Sequence, residues 1–270
     1  MARWDSEHVQ ETDAARQAAE VAVELSEQDR AQDPRWLVRS LRGLARSTAR
    51  VAGRAWRGAG SAGRGAASLL TWITAQVIAM GPRLRIRDQD TLRTQFPGRS
   101  DEEIGELLID RAARAAAAVG GATGAWAALP ALPAFPAEVA AETLAVVGIE
   151  LKLVAELHEA YGAPAPGSPA DRARAYLAAW AHRRGVSMIP GGLLIVAGSP
   201  LAGQLRRRLA ARIRRSTFSL APLFTGALAG AVVNRRETRR LGRDIVADLR
   251  RGPVLRTEAP GRPPLTGPGD

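Results

Sequence analysis

The sequence predicts an all-α protein: a helical bundle with Gly/Pro-rich apolar connectors, preceded by an acidic arm and a basic amphipathic helix. Three observations predict it. The apolar fraction of 46% leans on Ala, Leu and Val while aromatics make up only 4%, a balance that favours closely packed helices over a strand-rich sandwich. Apolar residues recur at three- and four-residue spacing along much of the chain. The stretches between them hold Ser/Asp caps, glycine stops and first-turn prolines, the start and stop signals of helices. At 270 residues the chain can bury a substantial core.

Residues 1–33 read as a separate acidic arm, with nine acidic residues against Arg3, Arg16 and Arg30, a net of −6. Within it Ala15, Ala18, Ala19, Ala22 and Leu25 keep helical spacing on a narrow face, which predicts a partly formed helix over 14–25. The sign of the charge then reverses, with eleven arginines and no acid from Pro34 to Arg87. The first seven are Arg35, Arg39, Arg42, Arg46, Arg50, Arg54 and Arg57; stepping by three or four residues at about 100° each, they share one helical face. Leu37, Leu41, Leu44, Thr48, Val51 and Ala55 take the opposite one. Gly58 to Gly65 loosens this helix, and Ser68 to Met80 is a second, uncharged helical stretch closed by Gly81 and Pro82, completing a unit over 34–82.

A helical domain is expected over 83–251. Asp88 to Phe96 reads as a short helix stopped by Pro97-Gly98. Ser100 and Glu103 form a capping box at the head of a helix from Asp101 to about Val119, which Gly120-Gly121 is expected to end. Between Arg114 and Glu138 no residue is charged, and Pro130, Pro133 and Pro136 mark a buried extended connector more than a polyproline ligand. A long helix then runs to Tyr161-Gly162, with Val139, Thr143, Val146, Leu153 and Leu157 as an apolar row and Glu138, Glu142, Lys152, Glu156 and Glu159 as a wet stripe. The whole stretch from Ala115 to Gly162 is the expected hub. Ser168, Pro169 and Asp171 open the next helix, which stops at Gly185.

Two further uncharged runs, 185–205 and 216–234, flank a basic helical stretch from Ser199-Pro200 to Arg215. Length alone would let them form a transmembrane hairpin. The connection would carry six arginines across, and Pro190 and Pro200 interrupt the first run, so a buried core or a shallow insertion is the preferred reading. Gly226 and Gly230 are expected at a close helix contact. The Pro/Gly-rich tail, 252–270, is expected to lack fixed structure.

Composition narrows the chemistry. There is no cysteine, which removes disulfides, thiolate metal sites and Cys nucleophiles together and fits a cytoplasmic location. MARWDSEH has no secretory-signal pattern. His8, His158 and His182 are the only histidines and none sits in a metal-ligand pattern; His158 lies beside Val154 and Leu151 as a hydrogen-bonded core residue, and Glu150 is placed at the edge of the core, reaching solvent or an arginine. The Gly-rich stretches match no phosphate loop and there is no G-x-S-x-G elbow. The expectation is a non-enzymatic protein without cofactor or metal. A net charge of +11, nearly all arginine because Lys152 is the only lysine, admits anionic partners, phosphate backbones or acidic headgroups alike, although GC-rich coding is the first explanation for the arginine bias.

The passage GGATGAWAALPALPAFPAE, the helix ending LVAELHEAYG and the closing LFTGALAGAVVNRRETRRLGRDI resemble the EcsC family, a bacterial group of hydrophobic helical proteins, over about 114–251. The resemblance implies a hydrophobic helical domain and assigns no catalytic residue. Together these features give an expected protein of the cytoplasmic membrane face, accessory to a membrane complex, with peripheral binding ranked ahead of integral insertion. The seven arginines would contact the anionic surface while Leu37, Leu41, Leu44 and Val51 insert. Non-specific nucleic-acid binding is the second reading, weakened because only Trp36 and Trp56 accompany the arginines and no helix-turn-helix, zinc or RNP motif is present.

Overall fold

Helix α6 (Phe135–Ala160) sets the plan of the molecule. Its apolar residues point in every direction around the axis, so it has no side to give to water and is stable only when surrounded. The computed structural model describes residues 2–27, 34–57, 72–126, 135–189, 192–195 and 223–252. Within it, α1 (Ala2–Glu27), α2 (Pro34–Arg57), α4 (Gln89–Gln95), α5 (Asp101–Trp126), α7 (Pro169–Arg184) and α8 (Leu223–Arg251) all pack on α6. A further helix, α3 over 72–80, leads through a 3-10 turn at Gly81–Arg83 to the extended segment before α4. The protein is all-α, and every residue from Thr143 to Ala160 is buried.

Local signals place most helix ends where the sequence puts them. The Asp88 side chain accepts from the Thr91 amide to start α4. Ser100 and Glu103 cap α5 reciprocally, with the Ser100 amide 2.9 Å from the Glu103 carboxylate and the Glu103 amide 3.2 Å from the Ser100 hydroxyl. Ser168 and Asp171 form a second capping box at α7, and Gly185 ends that helix in the left-handed conformation, at φ 63°.

Four expectations are corrected. The acidic stretch is not an arm apart from the bundle: α1 runs from Ala2 to Glu27 and packs on α6, α2 and α5, with Ala15, Ala18 and Ala22 fully buried. Small residues let this helix sit so close that a Cβ on Gly148 of α6 would fall 2.8 Å from the Ala22 methyl. The wet stripe of α6 is also buried, with Glu138, Lys152, Glu156 and Glu159 at most 4% exposed, because helices close around that side too. Gly120-Gly121 does not end α5, which continues to Trp126; the glycine is there for a close approach described below. Finally, the stretch after Gly185 is not helical. Val186–Ile189 and Gly192–Ile195 pair as an antiparallel hairpin, Val186 opposite Ile195 and Ile189 opposite Gly192. Short β-branched and apolar segments joined by the Pro190-Gly191 pair read as easily as strands as they do as helix.

Other expectations fall outside the described residues: the Gly58–Gly65 break, the apolar connector over 127–134, the remainder of the 185–205 run, the basic stretch to Arg215, the start of the 216–234 run and the tail after Gly252.

Candidate anionic-surface interface

The strongest charge signal in the sequence lies on α2, whose two faces separate cleanly. Leu37, Leu41, Leu44, Ala45 and Thr48 are buried, while Arg39, Arg42 and Arg46 on the opposite face are exposed. Contacts on two sides fix this orientation. Ser47 donates to the Gln17 carboxamide of α1 at 3.1 Å, and the Thr48 hydroxyl donates to the Ala137 carbonyl at the head of α6 at 3.3 Å. Arg46 also reaches back along its own helix, Nε donating to the Arg42 carbonyl at 3.3 Å. A continuous row of guanidinium groups therefore faces outward. Arg35, Arg50, Arg54, Arg57 and Val51 belong to the same helix, but their side chains lie outside those described.

The buried face corrects the expectation that Leu37, Leu41 and Leu44 insert into a membrane. These three are 6%, 1% and 0% exposed and form part of the central core. Burial of each is worth about 1.5–3 kcal/mol relative to water, and a bilayer interior is no better a solvent for leucine than that core. Pulling α2 away would open the α1 and α6 surfaces beneath it for no compensating gain. As folded, α2 offers its arginines and keeps its leucines.

Gly230 occupies the tight helix contact the sequence predicts. Helices α5 and α8 run antiparallel, and they touch backbone to backbone where Gly120 faces Gly230. A Cβ on Gly120 would fall 2.6 Å from the Gly230 carbonyl oxygen, and one on Gly230 would fall 2.7 Å from the Gly120 oxygen. Asn234, one turn on, donates to the Ala116 carbonyl at 3.2 Å and to Glu142 of α6 at 3.4 Å, joining three helices. Gly226 lies on the same helix, but its surroundings are outside the described side chains.

Three buried polar groups hang on α6, and sequence periodicity did not group them. Glu150 accepts from the Trp180 indole at 3.0 Å, from the Thr238 hydroxyl at 3.1 Å and from Arg184 of α7, whose other arm reaches Glu237 at 3.3 Å. Of the two partners foreseen for Glu150, solvent or an arginine, the fold supplies the arginine. Two turns of helix away, Glu156 takes both arms of Arg87, at 2.8 and 2.7 Å, and also binds Lys152, whose ammonium donates to the Arg85 carbonyl at 2.6 Å and pairs with Glu27 of α1 at 3.2 Å. At the end of α6, Glu159 holds Arg172 and accepts from the Tyr176 hydroxyl at 2.9 Å. His158 is the hydrogen-bonded core histidine the sequence predicts: 5% exposed, Nδ1 2.7 Å from the Val154 carbonyl and its ring against Tyr176. That carbonyl can only accept, so the proton sits on Nδ1.

These groups make stability fall in acid. Burial pushes the His158 imidazole below its ordinary range, against a smaller opposing pull from the Val154 carbonyl, so the folded state favours the neutral ring. Its contribution is complete above the ordinary histidine value and declines below it. Burial would raise the Glu156 carboxyl, but Arg87 and Lys152 outweigh burial and hold it below the usual carboxylate range. That contribution is present above the ordinary carboxylate value and is lost as pH falls through the depressed one. Urea melts across pH should show a plateau near neutrality, a first decline below about pH 6.5 and a second, steeper one in acid; His158→Gln should remove the first decline and leave the second.

Among the described residues no three His, Cys, Asp or Glu side chains gather as a metal site, and no helix is long and apolar enough to cross a membrane. Comparison of the chain with protein families, curated proteins and solved structures returns no match.

Proposed function

We propose that this chain is a non-enzymatic helical protein that associates peripherally with the anionic surface at the cytoplasmic face of a membrane, accessory to a membrane complex. The observation that carries this reading is the outward row of Arg39, Arg42 and Arg46 on a helix whose other face is fixed in the core. A guanidinium row held by the fold loses little freedom on meeting phosphate oxygens, and each basic residue near an acidic leaflet contributes about 1 kcal/mol. The resemblance of residues 114–251 to the EcsC family belongs to the same proposal and supports it with a hydrophobic helical domain of like pattern.

Vesicle flotation tests it. The chain should float with phosphatidylglycerol-containing vesicles at low salt and less well as salt rises. Arg39, Arg42 and Arg46 changed together to Gln should weaken binding by about 3 kcal/mol, roughly 100-fold, without loss of helical circular dichroism. No flotation of the unaltered chain would overturn the proposal.

One observation favours a second reading, charge-only binding to nucleic acid. With the leucines of α2 buried, that helix presents the phosphate-contacting part of an interfacial helix without its inserting part. Salt-sensitive binding to duplex DNA, lost in the triple Gln variant and not accompanied by vesicle binding, would select it.

A further inference from the structure

The fold brings together, at one end of the bundle, uncharged stretches that lie far apart in sequence. Asn234 marks the level: it bonds Ala116 of α5 and Glu142 of α6, so residues 116, 142 and 234 lie side by side. Beyond that level α5 runs on from Ala117 to Trp126, α6 begins at Phe135 and α8 begins at Leu223. These three helix ends contain one charged residue, Glu138, and it is buried. The Gly120–Gly230 contact lies inside this uncharged end and draws α5 and α8 together there.

The outer face of the end is apolar and open. Among the described residues the most exposed large hydrophobics are Leu228 at 66% and Val232 at 63%, with Val233 at 40%. They sit with the exposed Ala229 on one face of α8, and the same face continues into the exposed Arg236, Arg240 and Arg243. The change from apolar to cationic is abrupt: Val232 and Arg236 are one turn apart, about 6 Å along the axis. Arg235, half exposed, joins the collar, its nearest carboxylate being Asp110 at 3.9 Å. The basic helix α2 approaches the same end. Its Thr48 bonds Ala137 at the head of α6, and the turns of α2 that follow carry Arg50, Arg54 and Arg57 in sequence.

We infer that this end of the bundle, with Leu228, Val232 and Val233 at its tip and arginines as its collar, is the part of the molecule that enters an anionic bilayer. An apolar tip ringed by guanidinium groups matches the layering of a leaflet, hydrocarbon inside and phosphates outside. The dimensions agree as well. The described uncharged part of α8, residues 223–234, is about 18 Å long, enough to enter one leaflet. Docking is thus by this end of the bundle, with α2 beside the contact and its outward Arg39, Arg42 and Arg46 facing the headgroups. This inference rests on the membrane reading proposed above and replaces the buried leucines of α2 with the exposed residues of α8 as the inserting group.

The chain has no cysteine, so a single engineered thiol carries a probe without ambiguity. Val232→Cys and, on α2, Ser40→Cys are each labelled with an environment-sensitive NBD dye and mixed with vesicles of phosphatidylcholine and phosphatidylglycerol. The dye at 232 should shift to the blue and be quenched by lipids spin-labelled in the acyl chain, while the dye at 40 stays aqueous. Leu228→Glu with Val232→Glu should lower vesicle partitioning roughly 100-fold, with the melting curve unchanged because both side chains are outside the core. Binding by the unaltered chain with an aqueous dye at 232 would overturn this docking geometry and leave the membrane reading standing. Absence of any vesicle binding would overturn both. Protection of the dye at 232 by self-association in the absence of vesicles would assign the tip to a second copy of the chain instead.

Discussion

Arg184→Ala is expected to cost about 3–5 kcal/mol of stability, among the largest losses any single substitution should produce here. Arg184 is 4% exposed, and among the described residues it is the cation paired with Glu150, itself 3% exposed. Removing it leaves a carboxylate inside the bundle with, among the described residues, the Trp180 indole and the Thr238 hydroxyl as its donors. It also releases Glu237, so the ion pair between α7 and α8 is lost. Urea denaturation followed by circular dichroism measures the loss. Changing Glu150 to Leu and Arg184 to Met together should recover most of it, since an ion pair replaced by apolar groups of similar size is often neutral. A double variant no more stable than Arg184→Ala would show that the polar cluster holds the helices in place by more than mutual neutralisation.

Gly120→Ala should destabilise by about 2–3 kcal/mol, although alanine is the better helix former by about 1 kcal/mol. The new methyl would stand 2.6 Å from the Gly230 carbonyl oxygen and 2.5 Å from the Asn234 amide nitrogen. One of these is backbone, which can yield only if α5 and α8 separate. Gly43 on the solvent side of α2 provides the control, because a Cβ there meets nothing within 4 Å. Gly43→Ala should therefore stabilise the protein by roughly 0.5–1 kcal/mol. Opposite signs for the same chemical change in thermal melts would locate the effect in the helix crossing; equal signs would refute it.

Short-range signals were legible and long-range ones were not. The Ser100–Glu103 and Ser168–Asp171 caps, the Gly185 stop and the buried face of α2 each depend on residues within a few positions of one another, so spacing alone reveals them. Lys152, Glu156 and Glu159 misled because amphipathic periodicity assumes that a charge seeks water. Their partners Glu27, Arg87 and Arg172 stand far away in sequence or on another helix, and nothing in the local pattern announces them. A signal was available: apolar residues on every side of α6 leave no wet face, which marks a surrounded helix. Gly120 is a similar case. A glycine pair reads equally as a stop or as a crossing, and only the position of Gly230 on the antiparallel α8 decides between them. Of the candidate interface, the arginine row could be read from sequence, but the outward placement of Leu228 and Val232 could not. In an uncharged run every residue is equally eligible for burial until a neighbour claims one face.

The single lysine of the chain, Lys152, is fully buried, with its ammonium held between Glu27, Glu156 and a backbone carbonyl. The described cationic surface is therefore built from guanidinium groups without a side-chain amine, and this fixes how it can be regulated. Acetylation and other acyl transfers to lysine have no target on the folded surface, and guanidinium groups stay protonated at every physiological pH. The positive charge of that surface is thus permanent, and its reach is adjustable through salt, through added phosphoryl groups or through what covers the arginines, but not by discharging them one amine at a time. For the same reason an amine-directed reagent that modifies Lys152 records the opening of the bundle itself.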